Sequence, residues 1–145
     1  MTTPSMYGAL IKQSGLNLEQ DLEHFLDSHQ ILYWRGVDQK MEIDFIVRDI
    51  HGNEMFIECK NQQSQGSVVD KLPHTIWKYH RKYQMQQLFL LVGNIHVIPD
   101  YIHENIQWLE QQLHVQVHIM SLSDMKHHFL DDISNYQYIS PLNFL

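Results

Sequence analysis

The stretch MEIDFIVRDIHGNEMFIECK, residues 41–60, decides the fold because it contains two apolar strands joined by a turn. From Met41 to Arg48 apolar and polar residues alternate with the period of two that is typical of a strand, and only Ile46 breaks the polar side. His51-Gly52-Asn53 has the composition of a hairpin turn. From Glu54 to Lys60 the chain returns as a second strand. We therefore predict an antiparallel hairpin with one face toward the core.

The end of this hairpin carries charged residues, which a strand interior normally excludes. Because side chains alternate along a strand, Glu58 and Lys60 lie on the same side and Cys59 points into the core. In the alternation of the neighbouring strand, Asp44 falls on the side that faces away from the core. The hairpin therefore gathers Asp44, Glu58 and Lys60 into one cluster near a strand end.

This cluster has a chemical interpretation. Two carboxylates a few ångströms apart repel each other unless a cation lies between them. A hard divalent cation such as Mg²⁺ suits such oxygen ligands and keeps waters for a substrate phosphate. The ammonium group of Lys60 can orient or help to deprotonate the attacking water and offset developing charge. These parts fit phosphodiester hydrolysis; the alternative is a surface salt bridge between Glu58 and Lys60, with Asp44 an incidental neighbour.

The rest of the chain predicts further helices and strands. They are a helix from Asn17 to near His29, a strand at Ile31–Trp34, a helix from near Pro73, a strand at Gln87–Val92, a helix at Pro99–Leu113, a strand at Val115–Met120 and a helix at Ser121–Leu130. The later strand-helix-strand unit implies a parallel crossover. We therefore predict an α/β fold with a mixed sheet flanked by helices.

The size of the chain fits one domain. Its 145 residues, 43% of them hydrophobic, predict a single domain over residues 1–145, with a core at about 17–92, an added helix-strand-helix at 99–130 and a tail at 131–145. The longest apolar runs are shorter than the ~20 residues that span a bilayer, so no membrane association is expected. One cysteine allows no internal disulfide and no thiolate zinc site, and no signal segment opens the chain. We expect a cytoplasmic protein.

The eleven histidines do not form a metal-binding motif. HExxH and paired Cys/His spacings are both missing from the sequence. We therefore expect the histidines on the surface or at the edge of the core.

The charge of the chain is unevenly distributed. Residues 60–82 contain five basic residues and one acid, a balance of +4, which leaves −11 for the rest of a chain whose net charge is −7. Four of these residues share one side of the second helix, at i, i+4, i+7 and i+8: His74, Lys78, Arg81 and Lys82. A basic stripe beside a phosphodiester-cleaving site would hold a DNA backbone. The alternative is a solvated helix face.

The hairpin resembles a known nuclease motif. Ile43-Asp44 on one strand and Glu58-Cys59-Lys60 on the next, with thirteen residues between, resemble the PD-(D/E)XK nuclease superfamily. The flanking elements resemble its α-β-β-β-α-β core over roughly Asn17 to Val92. The resemblance implies a restriction-endonuclease-like fold, a DNA substrate and Mg²⁺ as cofactor, with Mn²⁺ as an alternative ion. Ile43 stands where the motif name has proline, which is a frequent departure.

The same resemblance implies roles for individual residues. Asp44 and Glu58 would be metal ligands, the main-chain carbonyl of Cys59 a third ligand, and Lys60 the catalytic lysine. Many members add an acid from the first helix. Glu19 or Glu23 would fill that place, and we choose Glu19.

The segment that follows the hairpin carries a second, weaker resemblance. NQQSQGSVVDKLPHTI, residues 61–76, resembles phage and bacterial endonucleases with Gly-Ser-Val and Lys-x-Pro after the active-site strand. In those terms Gln62 orients water or substrate near the metal, and Lys71 contacts a phosphate. The alternative is a plain polar loop. The Gln-x-x-x-Tyr pattern of RecB-like exonucleases is not found after Lys60.

We therefore expect an Mg²⁺-dependent endonuclease acting on duplex or branched DNA, of restriction-like or mobile-element and phage type. The alternatives are a Holliday junction resolvase and a non-catalytic nucleic-acid-binding protein that retains the fold; an RNA substrate also remains open. Little of the chain lies outside the core, so cutting both strands would require two active sites. We expect a homodimer or higher homo-oligomer, with the aromatic tail Tyr136–Phe144 as a contact surface.

Overall fold

A five-stranded mixed sheet forms the centre of the molecule in the computed structural model, which describes residues 18–60 and 70–138. The strands are β1 (Tyr33–Arg35), β2 (Phe45–Arg48), β3 (Glu54–Lys60), β4 (Gln87–Val92) and β5 (Gln116–Met120). The helices are α1 (18–28), α2 (Leu72–Tyr83), α3 (Asp100–Leu113) and α4 (Leu122–Asp131). The chain order is therefore the predicted α-β-β-β-α-β core followed by helix-strand-helix, which confirms the predicted α/β fold.

The sheet changes from antiparallel to parallel at β3. The spatial order is β1-β2-β3-β4-β5, with β1, β2 and β3 antiparallel and with β3, β4 and β5 parallel. Parallel neighbours need a crossover, and α2 and α3 supply the two crossovers. No helix in the described ranges is long and apolar enough to cross a bilayer.

Both faces of the sheet are covered by helices. Phe45 and Ile57 pack with α1 and α4 in one core cluster, whereas Ile46 and Leu90 pack with α2 and α3 in a second cluster. The prediction of a polar outer face on the hairpin was therefore wrong. The second core layer explains why Ile46 is apolar, and it means that polar groups on that face are buried.

The strand predicted from Met41 begins only at Phe45, because the preceding residues form a bend against Gly36. A side-chain Cβ at Gly36 would lie 1.6 Å from the Ile43 carbonyl oxygen, so only glycine fits there. The Gly36 N–H donates to the Asp44 carbonyl oxygen over 3.0 Å. This close approach fixes the main chain at Asp44, just before β2.

The end of the described chain folds back on the hairpin. Tyr136 is 9% exposed and packs edge-on against Phe129, with ring centroids 4.8 Å apart. The Tyr138 hydroxyl donates to the Asp49 carbonyl oxygen over 2.6 Å. Tyr136 is therefore a core residue, which corrects its prediction as part of an oligomer contact surface. Residues 139–144 of that predicted surface lie outside the described residues.

Two histidines lie at the edge of the core, as predicted for this residue type. The His118 ring stacks on Phe89 at 4.4 Å, and the His128 ring lies 5.3 Å from the same phenyl ring. Burial lowers the pKa of both imidazoles. Both are therefore neutral packing residues at physiological pH.

Candidate active site

Asp44 and Glu58 lie opposite each other across the β2–β3 hairpin. Phe45 pairs with Ile57 in the antiparallel register, so continuing that register by one residue brings Asp44 to Glu58. The Asp44 Oδ2 atom accepts a hydrogen bond of 2.8 Å from the Cys59 N–H. The structure therefore brings together the two carboxylates that the alternation of the sequence predicted as neighbours.

Glu58 is a buried carboxylate with one satisfied and one unsatisfied oxygen. The residue is 4% exposed and faces α2. Its Oε2 atom accepts a hydrogen bond of 2.7 Å from the Tyr79 hydroxyl and lies 3.3 Å from the Lys60 Nζ atom. Its Oε1 atom is buried and has no hydrogen-bond partner among the described residues. A buried carboxylate oxygen without a donor is costly unless a cation satisfies it.

The environment of Asp44 favours its protonated form. Burial is the largest cause, and the neighbouring Glu58 carboxylate adds to it, so that the pKa of Asp44 rises to about 7. The Cys59 N–H and the Lys60 ammonium oppose this rise. At neutral pH a cation bound between the two carboxylates would therefore compete with a proton on Asp44.

Glu19 is the first-helix acid that lies beside Asp44. Burial and then the charge of Asp44 raise the pKa of Glu19, whereas Arg35 opposes that rise. The Arg35 guanidinium binds Glu19 at 2.5 Å and Glu23 at 3.0 Å, and its Nε donates to the Asp44 carbonyl oxygen over 3.2 Å. The structure therefore places Glu19 in the carboxylate cluster, with Arg35 as the counter-ion on the α1 side.

The side chain and the main chain of Cys59 face different parts of the molecule. Its side chain packs against the α1–α4 core layer, as its strand parity predicted, and its main chain borders Asp44. Burial and then the nearby carboxylates raise the pKa of the thiol, so it stays protonated. The main-chain carbonyl, and not the sulfur, remains the predicted ligand.

Tyr79 was not predicted from the sequence. It lies on the buried side of α2, in line with Leu72 and Ile76, and its hydroxyl reaches Glu58. Burial and the bond to Glu58 raise the pKa of this phenol, so it donates its proton to the carboxylate. The available signal was a pair of tyrosine hydroxyls, Tyr79 and Tyr83, in the apolar stripe of the helix that follows β3.

The predicted basic stripe on α2 is partly neutralised by an acid from another part of the chain. The Lys78 and Lys82 ammonium groups lie 2.6 and 2.8 Å from the Glu42 carboxylate. These two hydrogen bonds lower the pKa of Glu42 to about 2. Counting charges within residues 60–82 missed Glu42, so the local excess of positive charge is smaller than the sequence predicted.

The other predicted contact residues occupy different positions. His74 stacks on Trp77 with ring centroids 5.8 Å apart, and the Arg81 guanidinium lies 5.7 Å from the same indole. Lys71 is exposed at the start of α2. Gln62 lies in 61–69, outside the described residues. The stripe therefore divides into Lys78 and Lys82 on the Glu42 side and His74 and Arg81 around Trp77.

The oxygen atoms of the carboxylate pair suit a hard metal ion. In residues 18–60 and 70–138 no group of three or more His, Cys, Asp or Glu side chains is arranged to hold one. Asp44 and Glu58 nevertheless supply two hard oxygen ligands, and the buried Oε1 of Glu58 has no hydrogen-bond partner among the described residues. Such a donor set fits a hard cation that keeps several waters, as Mg²⁺ does.

Comparison with known proteins gives a family match. A family model described as a PD-(D/E)XK nuclease superfamily domain matches residues 12–130, whereas no curated protein and no solved structure gives a match. The matched range includes the hairpin with Asp44, Glu58 and Lys60. The observed fold agrees with the one expected for this superfamily, and the family model matches most of the chain. The chain therefore belongs to the PD-(D/E)XK nuclease superfamily.

Proposed function

We propose that this nuclease is a metal-dependent endodeoxyribonuclease of restriction-like or mobile-element and phage type. The observation that carries the proposal is the buried, unsatisfied Glu58 Oε1 opposite Asp44, whose pKa is raised to about 7. Nucleases of this superfamily generally use divalent metals. The raised pKa of Asp44 and the unsatisfied Oε1 of Glu58 support a requirement for a divalent metal in this protein as well.

Asp44, Glu58 and the Cys59 carbonyl would hold Mg²⁺, or Mn²⁺ in its place. When bound, such an ion lowers the pKa of a water ligand and offsets charge on a phosphate. Tyr79 and Lys60 both hold the Oε2 atom of Glu58, which leaves Oε1 as the oxygen for the metal. Donors that orient a ligand in this way usually matter for affinity almost as much as the ligand itself.

Lys60 is proposed as the catalytic lysine. Its ammonium lies 3.3 Å from Glu58 Oε2, and its side chain is 29% exposed, so the group reaches both the carboxylate and the solvent. From there it can orient a water for attack and offset the charge of the phosphorane-like transition state. Glu19 would orient solvent on the opposite side of Asp44, and Gln62 is proposed to orient water or substrate.

The nucleic acid is proposed to lie along Lys71, Lys78 and Lys82. The ion pairs of Lys78 and Lys82 with Glu42 are solvent-exposed, with side-chain exposures of 39%, 49% and 47%. Exposed pairs contribute little free energy, so a phosphate can replace Glu42 at small cost. Two active sites, and hence a homodimer or higher homo-oligomer, would be needed to cut both strands.

The test is incubation with supercoiled plasmid, linear duplex, four-way junction and RNA, in Mg²⁺ or in EDTA. We expect the plasmid to be nicked or linearised in Mg²⁺ and to remain intact in EDTA. The matched control is the Asp44→Asn/Glu58→Gln protein, which excludes a contaminating nuclease. Cleavage of the junction alone would indicate a resolvase, and cleavage of RNA alone would replace the DNA substrate. Binding without metal-dependent cleavage of any substrate would indicate a non-catalytic protein.

Replacing Tyr79 by Phe should weaken Mn²⁺ or Mg²⁺ binding by roughly 10- to 100-fold, the usual effect of losing a hydrogen bond to a metal ligand. The ring is retained, so the core layer against α2 remains packed. Calorimetric titration measures the change. Tyr83→Phe, one turn further along α2, is the control, because the Tyr83 hydroxyl accepts from the Glu42 N–H and does not contact Glu58. Equal affinities in the two variants would show that Tyr79 is only a core residue.

Removing Lys78 and Lys82 together should weaken DNA binding and flatten its salt dependence by roughly 0.9 in the log–log slope for each phosphate that is no longer neutralised. The complementary variant is Glu42→Gln, which removes the acid that both lysines bind. It should strengthen binding to all sequences. A salt titration of catalytically inactive protein on one labelled duplex measures both effects. If neither variant changes affinity or slope, the DNA lies elsewhere.

A further inference from the structure

The outer surface of α2 and α3 exposes three aromatic side chains. Trp77 on α2 is 44% exposed, and Tyr101 and Trp108 on α3 are 55% and 59% exposed. The two indoles border a groove of about 320 Å³ between the helices, completed by Pro73, Asn105 and Leu109. Contiguous exposed apolar surface of this kind marks an interaction site in a water-facing helix pair. We refer to this surface, Trp77, Arg81, Tyr101, Glu104 and Trp108, as the α2–α3 face.

Trp77 is held in position by its neighbours on α2. His74 stacks on the indole with an interplanar angle of 26°, and the Arg81 guanidinium lies 5.7 Å from its centroid. The indole therefore loses little conformational freedom when a partner binds. Rigid Trp and Arg side chains next to a groove have the composition of interaction hot spots.

The charges beside the groove identify the partner. Beside the groove, α2 presents Arg81, because Lys78 and Lys82 pair with Glu42, whereas α3 contains Asp100 and Glu104 on its exposed side and no Lys or Arg. A basic Arg81 next to the acidic side chains of α3 is complementary to its own copy after a two-fold rotation, which brings Arg81 on α2 of one copy onto α3 of the other. A nucleic acid would instead meet the acidic side chains of α3.

We propose that the α2–α3 face is a self-complementary homodimer interface, occupied by a second copy of this chain. Trp77 and Trp108 enter the groove region of the partner copy, and Arg81 of each copy meets Glu104 of the other. Tyr79 lies on the opposite side of α2 and keeps its bond to Glu58. Each carboxylate site therefore remains intact in the dimer, behind its own α2.

The test is sedimentation velocity of the full chain from about 1 µM to about 100 µM, a range that covers ordinary homodimer affinities. The wild type should sediment as a dimer at the upper concentration. Trp77→Ser/Trp108→Ser should raise the dissociation constant roughly 30-fold or more, the effect of losing one interface hot spot. Leu130→Ser is the control, because Leu130 is 43% exposed on α4, which packs on the opposite face of the sheet from α2 and α3. Circular dichroism checks that every variant is folded.

A charge-reversal pair adds a result that simple loss of packing would not produce. Arg81→Glu alone and Glu104→Arg alone should each weaken the dimer, whereas the double variant should restore it, because the two charges meet across the two-fold axis. A wild-type monomer at the highest concentration would overturn the proposal, as would a dimer that survives the tryptophan changes. Quenching of Trp77 fluorescence by single-stranded DNA, in a monomeric Trp34→Phe/Trp108→Phe chain that keeps Trp77 as its one tryptophan, would also overturn it by assigning the face to nucleic acid. None of these outcomes depends on nuclease activity.

Discussion

Replacing Asp44 by Asn is expected to abolish metal-dependent cleavage and, at the same time, to stabilise the metal-free protein at about pH 8. Both effects arise from one cause. The folded protein holds a carboxylate where burial and Glu58 make a negative charge unfavourable, and a bound cation would remove that penalty. Asn keeps the size of the side chain and removes the charge. A residue retained against stability in this way is typical of a functional site.

The sign of the pH effect follows from the raised pKa of Asp44. The pKa of Asp44 in the folded protein, about 7, lies above its ordinary value of 3.8. The contribution of Asp44 to the free energy of unfolding is therefore fully present below pH 3.8 and is lost as pH rises through about 7. A shift of this size corresponds at most to about 4 kcal/mol, which solvent screening at a partly exposed carboxyl reduces to on the order of 2 kcal/mol. Asp44→Asn should recover that free energy of unfolding above pH 7.

Chemical denaturation in EDTA at about pH 5 and about pH 8 measures this effect. Asp49→Asn is the matched control with the opposite expectation. Burial alone would raise the pKa of Asp49, but hydrogen bonds from Asn53 and His51 outweigh it and lower the pKa. Asp49→Asn should therefore destabilise the protein. An Asp44→Asn protein that is less stable than wild type above pH 7 would contradict the electrostatic description of the site.

Replacing Lys60 by Ala should reduce the single-turnover cleavage rate ~10²-fold or more while leaving DNA binding largely intact. This is the range that a lost acid–base or electrostatic group usually produces. The side chain belongs to the same strand as Glu58, and its ammonium contacts the carboxylate oxygen that the proposed metal does not use. The effect should therefore appear in the chemical step.

Lys82→Ala is the control for loss of one positive charge on the same side of the molecule. It should change binding more than the rate at saturating DNA, because Lys82 is exposed and paired with Glu42. Quench-flow cleavage with excess enzyme separates the two quantities. If Lys60→Ala cleaves at the wild-type rate, Lys60 is a salt-bridge partner of Glu58 with no catalytic role.

The arrangement of the carboxylate pair followed from short-range sequence information. Period-two alternation and a hairpin turn at His51-Gly52-Asn53 are enough to bring Asp44 opposite Glu58, and the crossover rule is enough to make β4 parallel to β3. Local rules succeed here because the two carboxylates are joined by one tight turn. The family match over residues 12–130 includes this hairpin.

The second core layer could not be predicted from the hairpin alone. The alternation of apolar and polar residues suggested that one face of the hairpin is exposed to solvent, but Ile46 and Glu58 lie under α2. Antiparallel strands next to a parallel unit are covered on both faces when the crossover helices extend over them. Tyr79 was missed for the same reason: helix periodicity identifies the inward side of α2 and does not identify the carboxylate that its hydroxyl meets.

The sequence also could not predict which acidic and basic side chains form ion pairs. Glu42 lies 40 residues before Lys82 in the chain, and Arg35 lies 16 residues after Glu19. Such pairs form only once the sheet and helices have assembled, and no spacing rule relates them. This is why the positive charge of residues 60–82 was overestimated and the counter-ion of Glu19 was missed.

The most direct test of the central claim, that Asp44 and Glu58 form one metal site, is calorimetric Mn²⁺ titration near pH 7. The titration is repeated in buffers of different ionisation enthalpy, so that proton release is measured together with affinity. We expect one binding event that releases protons, because burial and the Glu58 carboxylate raise the pKa of Asp44 and leave that carboxyl partly protonated in the metal-free protein. Asp44→Asn and Glu58→Gln should each weaken that event strongly. Unchanged affinity in both variants, or binding without proton release, would contradict the account.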